Sequence, residues 1–212
     1  MKKTERKLTL AELERKEFFE AKSKELTREG YVRKDLTINI VKANILAIII
    51  MIPLIVLFLG IYYLCNQKIT LNFTSKECLF FLISFMILTV IHEGIHGVTW
   101  AIFAKDHFKS IKFGVIWNML TPYCTCKSEL KRWQYVIGTL MPTIILGCIP
   151  AIISIITNNV LLLVIALVMI IGGGGDAIII TKILLYKEEK CQCVYIDHPY
   201  ECGVVVFKKE MQ

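Results

Sequence analysis

Apolar residues run along this chain in long blocks, set off by short polar segments rich in charge. Stretches free of Lys and Arg cover 43–67, 78–104 and 133–181, the second interrupted only by the carboxylate of Glu93 and the third only by that of Asp176. A bilayer core is crossed by about 20 apolar residues at about 1.5 Å each. The first two stretches therefore predict one span apiece. The third has double length and breaks at Asn158-Asn159, a polar turn between two apolar arms. The pattern predicts four spans, near 43–65, 78–104, 134–157 and 160–186.

The segments between and around these blocks carry other periods. Leu8, Leu10, Leu13, Phe18 and Phe19 are interleaved among Glu and Lys, which predicts a surface helix from about Thr9 to Thr27, followed by an Asp-Leu-Thr-Ile-Asn stretch before the first span. From Ser110 to Cys126 the sequence is β-branched and aromatic, with Gly114 and Pro122 as punctuation, and predicts one or two strands. Valine-rich Cys202 to Phe207 predicts a closing strand. Pro142 and Pro150 fall inside the third span and predict kinks there. No internal repeat is present.

Composition agrees with a lipid environment: the 212 residues are 55% apolar and 20% charged, with a mean hydropathy of +0.58. The net charge of +7 is local, since twelve of the 25 basic residues fall in the first 42 positions. That lead also carries eight carboxylates and runs directly into the first apolar block. It reads as contact with an anionic membrane face and not with nucleic acid, and no cleavable signal peptide is expected. Lys and Arg number two in 66–77, six in 105–133, none in the Asn-Asn turn and four after Tyr186. By the positive-inside rule both termini and the 105–133 segment are expected in the cytoplasm of a multi-pass cell-membrane protein. The eight cysteines then lie mostly in spans or on the reducing side, and no structural disulfide is expected.

The second span contains His92-Glu93-Gly94-Ile95-His96. A helix places residues i and i+4 on one face, so both imidazoles face the same way with a carboxylate beside the first. This is the HExxH pattern, in which two neutral imidazoles bind Zn²⁺ and the glutamate moves a proton to and from water. An ionisable residue at the centre of a spanning helix costs about 2.5–3.5 kcal/mol, so Glu93 among apolar neighbours needs partners.

Catalytic zinc takes three protein ligands and keeps a fourth position open. The other ionisable residue inside a span is Asp176, after Gly172-Gly173-Gly174-Gly175. Counted from the outer ends at about 1.5 Å per residue, His92, His96 and Asp176 lie at depths of roughly 21, 27 and 24 Å. The second and fourth spans can thus share one metal. The glycines either let helix backbones approach, with Gly97 and Ala101 as a facing small surface, or loosen the fourth span so that Asp176 turns inward. A packing seam with Asp176 merely hydrogen-bonded is the plainer alternative. Glu129, His107 and Asp106 are other candidate third ligands, and Cys191, Cys193, His198 and Cys202 a weakly spaced candidate for a second zinc.

The runs HEGIHG at 92–97, PYCTCK at 122–127, Met141-Pro142, GGGD at 173–176 and HPYECG at 198–203 resemble a bacterial family of membrane proteins described as putative zincin peptidases, similar in outline to the site-2 proteases. The resemblance covers most of the chain from Tyr31 onward. It implies zinc held by His92, His96 and Asp176, Glu93 as general base, and proteolysis within or beside the membrane. Glycines precede Asp176 and Ala177 follows it, where site-2 proteases carry prolines and an asparagine before and a glycine after. No separate regulatory domain is expected in 212 residues.

The expected molecule is mainly α, a polytopic membrane protein with four transmembrane helices and a small cytoplasmic β element. Its expected parts are a lead 1–42, a membrane domain 43–186 and a tail 187–212. The expected activity is that of an intramembrane zinc metalloprotease acting on transmembrane or membrane-associated peptides near the cytoplasmic face. The rival readings are a non-catalytic metal-stabilised membrane protein of sensor or immunity type, and an ion or metal transporter.

Overall fold

The computed structural model describes residues 10–116, 121–188 and 191–210. The first helix, α1 (Leu10–Arg28), buries Glu12, Phe19 and Leu26, which are seven residues apart and so lie on one stripe. It ends where Gly30, at φ +90°, turns the chain back, with the Tyr31 N–H donating to the carbonyl of Leu26. Strand β1 (Val32–Ile38) follows, then α2 (Ile40–Asn66) and α3 (Ser75–Phe103). Thr74 and Glu77 form a reciprocal capping box that fixes the start of α3.

Strands β2 (Ile111–Ile116) and β3 (Thr121–Cys126) form an antiparallel hairpin, two strands where one or two were expected, against the end of α3. The third apolar block is α4 (Arg132–Pro142), a π-helical stretch Thr143–Cys148 and α5 (Ile149–Thr157). Pro142 and Pro150 bracket the π stretch, which is the form the expected kinks take: a proline lacks the N–H and crowds the carbonyl four residues back, and a wider turn relieves both. The Asn-Asn turn forms as the sequence predicts. Asn158 adopts φ 51°, and the Asn159 side chain accepts from the Leu162 N–H to start α6 (Val160–Gly172).

The fourth apolar block is not one helix. It breaks at Gly173 and bends by 45° into α7 (Gly174–Leu185). α2, α3 and α4 through α5 are each long and apolar enough to cross a membrane, and the bent pair α6–α7 makes a fourth candidate. Their outer faces are apolar: Ile45, Val56, Phe80 and Met86 among others are exposed. A surface of that kind marks a nonaqueous neighbour.

Strands β4 (Cys191–Asp197) and β5 (Cys202–Glu210) pair with β1 in the antiparallel order β1-β5-β4. The central run Val204, Val205, Val206 and Phe207 is completely buried because both faces of the sheet are covered. Val204 and Val206 pack with Trp100, Tyr135, Ile183 and Tyr195 at the end of the helical bundle, whereas Val205 and Phe207 pack with Phe19 and Leu26 of α1. The polar stretch before the first span is therefore a sheet edge, joined to the tail by pairs such as Leu36↔Val204.

Candidate metal centre

Three side chains from two helices converge near the sheet end of the bundle. His92 and His96 sit one turn apart on α3, both buried, and Asp176 sits in the first turn of α7. The Asp176 Oδ2 lies 3.1 Å from His92 Nε2 and 3.4 Å from His96 Nε2, and the two Nε2 atoms are 3.2 Å apart. Among the described residues this is the one group of three or more His, Cys, Asp or Glu arranged to hold a metal ion.

The donor set fits zinc. A tetrahedral ion bonded at about 2.0–2.1 Å separates its ligand atoms by about 3.3–3.4 Å, the spacing seen here to within a few tenths of an ångström. The tautomer fits as well. His96 Nδ1 donates to the carbonyl of Gly138 on α4 across 2.9 Å, and since a carbonyl only accepts, the hydrogen of a neutral ring sits on Nδ1 and the Nε2 lone pair faces the cluster. The His96 ring stacks on Trp100 at 5.0 Å with an interplanar angle of 14°. Trp100 in turn donates from Nε1 to the carbonyl of Tyr135.

Two glycines bring Asp176 into reach. A Cβ on Gly174 would lie 2.6 Å from the backbone oxygen of Ala47 on α2, and one on Gly173 would meet the Thr143 hydroxyl of the π stretch. Gly172 and Gly175 have open space around them. Both expected uses of the glycine run are present, since the helix breaks at Gly173 and its backbone approaches another. The facing surface differs from the expectation. It is Ala47 and Thr143, because Gly97 is occupied by Phe113 and Ile111 of the hairpin and Ala101 belongs to the core around Trp100.

Glu93 follows His92 on α3, is partly buried, and faces the backbone N–H of Cys124 on β3. It borders the same cavity, of about 760 Å³, that reaches His96 and Asp176. The other candidate ligands are engaged elsewhere: Glu129 pairs with Lys22 at 2.6 Å, and His107 donates from Nδ1 to the carbonyl of Ala101, with Asp106 beside it. Cys191, Cys193, His198 and Cys202 are not brought together, and His198 Nδ1 accepts from the backbone N–H of Glu201. Burial keeps the Cys124 and Cys126 thiols protonated, pushing Cys126 up to about 12.

Sequence reasoning missed Asp197. Its carboxylate accepts from the Tyr135 hydroxyl and, at 2.7 Å, from the Cys126 N–H, so it locks β4 to both α4 and β3 beside the cavity. Burial pushes this carboxyl above its ordinary range. The Gly138 carbonyl was equally invisible, being a backbone atom that any residue carries.

A family model described as "putative zincin peptidase" matches residues 85–192, just over half of the chain and the part that contains His92, Glu93, His96 and Asp176. No curated protein and no solved structure matches the chain.

Proposed function

The chain belongs to the putative zincin peptidase family, and from that premise we propose that it is a membrane-embedded zinc metallopeptidase, with His92, His96 and Asp176 as metal ligands and Glu93 as general base. The observation that carries this reading is the convergence of two Nε2 atoms and one carboxylate oxygen at 3.1–3.4 Å. The exposed apolar belts of α2 and α3 and the four candidate spans support a bilayer setting, with both sheets on the cytoplasmic side by the distribution of Lys and Arg. A helical site built from HEGIH and a distant aspartate is also the outline of the site-2 proteases.

Zinc in this cradle would supply Lewis acidity, acidifying a water and polarising a peptide carbonyl. The residues do the rest. His92, His96 and Asp176 would hold the ion, and the Asp176 carboxylate would offset part of its charge. Glu93, which borders the cavity and faces the Cys124 N–H, takes a proton from water on the cavity side and returns it to the leaving amine. Gly138 and Trp100 hold the His96 ring in one plane and one tautomer.

The test is purified full-length chain analysed for metal and for hydrolysis of unfolded polypeptide. About one zinc per chain, lost in His96→Ala and in Asp176→Ala, is expected, together with Glu93→Gln that keeps the metal and loses about 10²–10⁴-fold in rate. Equal hydrolysis by wild type and Glu93→Gln would defeat the reading. The transporter alternative predicts zinc movement across vesicles that survives Glu93→Gln.

A further inference from the structure

The cavity beside the cluster has a one-sided wall. Fifteen of its 22 lining residues lie on α1, the β1–α2 junction, β3, and the facing ends of β4 and β5 with the loop that joins them, outside every candidate span. The remaining seven come from α3, α4 and α7, and none of the described residues of α2, α5 or α6 lines it. The cavity beside the cluster is thus walled mainly by the sheets and α1, and only in its smaller part by the apolar helices.

We infer that the segment hydrolysed is a short extended stretch of polypeptide arriving from the side of the sheets, and not a transmembrane helix arriving between the spans. The inference rests on the metallopeptidase reading and adds the substrate class. Size supports it. The cavity measures about 760 Å³. A cavity of this volume suits a ligand of a few residues.

The edge of β3 supplies the recognition. The Cys126 N–H points to Asp197 and the Cys124 N–H to Glu93, so both face away from β2. Neighbouring N–H and C=O groups of one residue share a side in an antiparallel strand, which turns the carbonyls of Pro122 and Cys124 toward the same edge. An extended chain can donate its N–H groups to such carbonyls. A helix cannot, because its N–H groups are already used within the helix. Glu93 stands at that edge, where an added strand brings its peptide groups past the cluster.

Zinc-loaded full-length chain in nanodiscs, which leave both faces open, tests this with two probes. One is fluorophore-quenched β-casein, water-soluble and unfolded. The other is a quenched polyleucine helix of about 20 residues assembled into the same discs. The expected result is cleavage of casein, abolished by Glu93→Gln with zinc content unchanged, and an intact helix. Cleavage of the helix within its apolar core, with casein intact or cut no faster, overturns the inference and leaves the metallopeptidase reading standing. Failure to cut either probe with zinc bound overturns both.

Discussion

His96 on α3 and Gly138 on α4 are joined by one hydrogen bond of 2.9 Å, from the imidazole Nδ1 to the backbone carbonyl. The contact depends on a missing side chain, because a Cβ on Gly138 would overlap the Trp100 indole that stacks on His96. Gly138→Ala is expected to push Trp100 and His96 out of line, destabilise the fold by about 1–3 kcal/mol, and weaken zinc binding about 10–100-fold. Chelator competition and thermal unfolding measure the two effects. An unchanged zinc affinity would show that the ring's orientation does not depend on this carbonyl.

The glycines before Asp176 are not equivalent. Gly174→Ala drives a methyl group into the backbone of Ala47, which cannot rotate away, so α7 must shift and carry Asp176 with it. Zinc affinity falls. Gly172→Ala has open space and gains helix propensity of up to about 1 kcal/mol. Parallel zinc titrations of the two variants check the contrast, and equal losses would contradict it.

Asp197 makes stability depend on pH. Burial raises its folded-state value above the ordinary 3.8, against the opposing hydrogen bonds from Tyr135 and Cys126 and the nearby charge of Arg15. The folded state therefore holds the proton more tightly than the unfolded chain. The associated stability is fully present below 3.8 and is lost as pH rises through the raised value. Asp197→Asn is expected to flatten the fall in unfolding temperature on moving upward from about pH 4. A variant with the wild-type slope would assign the dependence to another group.

Helix α1 is held on the sheet by side chains. Phe19 is buried against Phe207 and His198, with Arg33 over its ring at 4.9 Å. Phe19→Ala is expected to cost about 3–5 kcal/mol locally and to expose α1 to limited proteolysis, while zinc stoichiometry stays at the wild-type level. Loss of zinc in this variant would mean that α1 also supports the cluster.

The helices and the cluster were legible from sequence for definite reasons. Apolar blocks bounded by Lys and Arg set the helices, a four-residue spacing set the two imidazoles, and an isolated aspartate in apolar sequence advertised its need for partners. What escaped notice depends on long-range pairing or on backbone atoms. Val32–Ile38 carries Arg33, Lys34 and Asp35 and reads as polar linker, yet it is an edge strand whose partner lies some 170 positions away, at Cys202–Lys208. The fourth block reads as one span because four glycines interrupt no apolar run. Only packing against Ala47 and Thr143 shows where it bends. Asp197 sits among ordinary strand residues, and its two partners come from elements 62 and 71 positions earlier.

Strand β5, the middle of its sheet, is also the last described element that a ribosome delivers. Until it emerges, β1 has no strand to pair with, β4 is held only by its bridge to Leu130 and by Asp197, and α1 lacks the Val205 and Phe207 part of its floor. A chain that stops short of β5 thus carries His92, His96 and Asp176 without the finished wall of the cavity beside them.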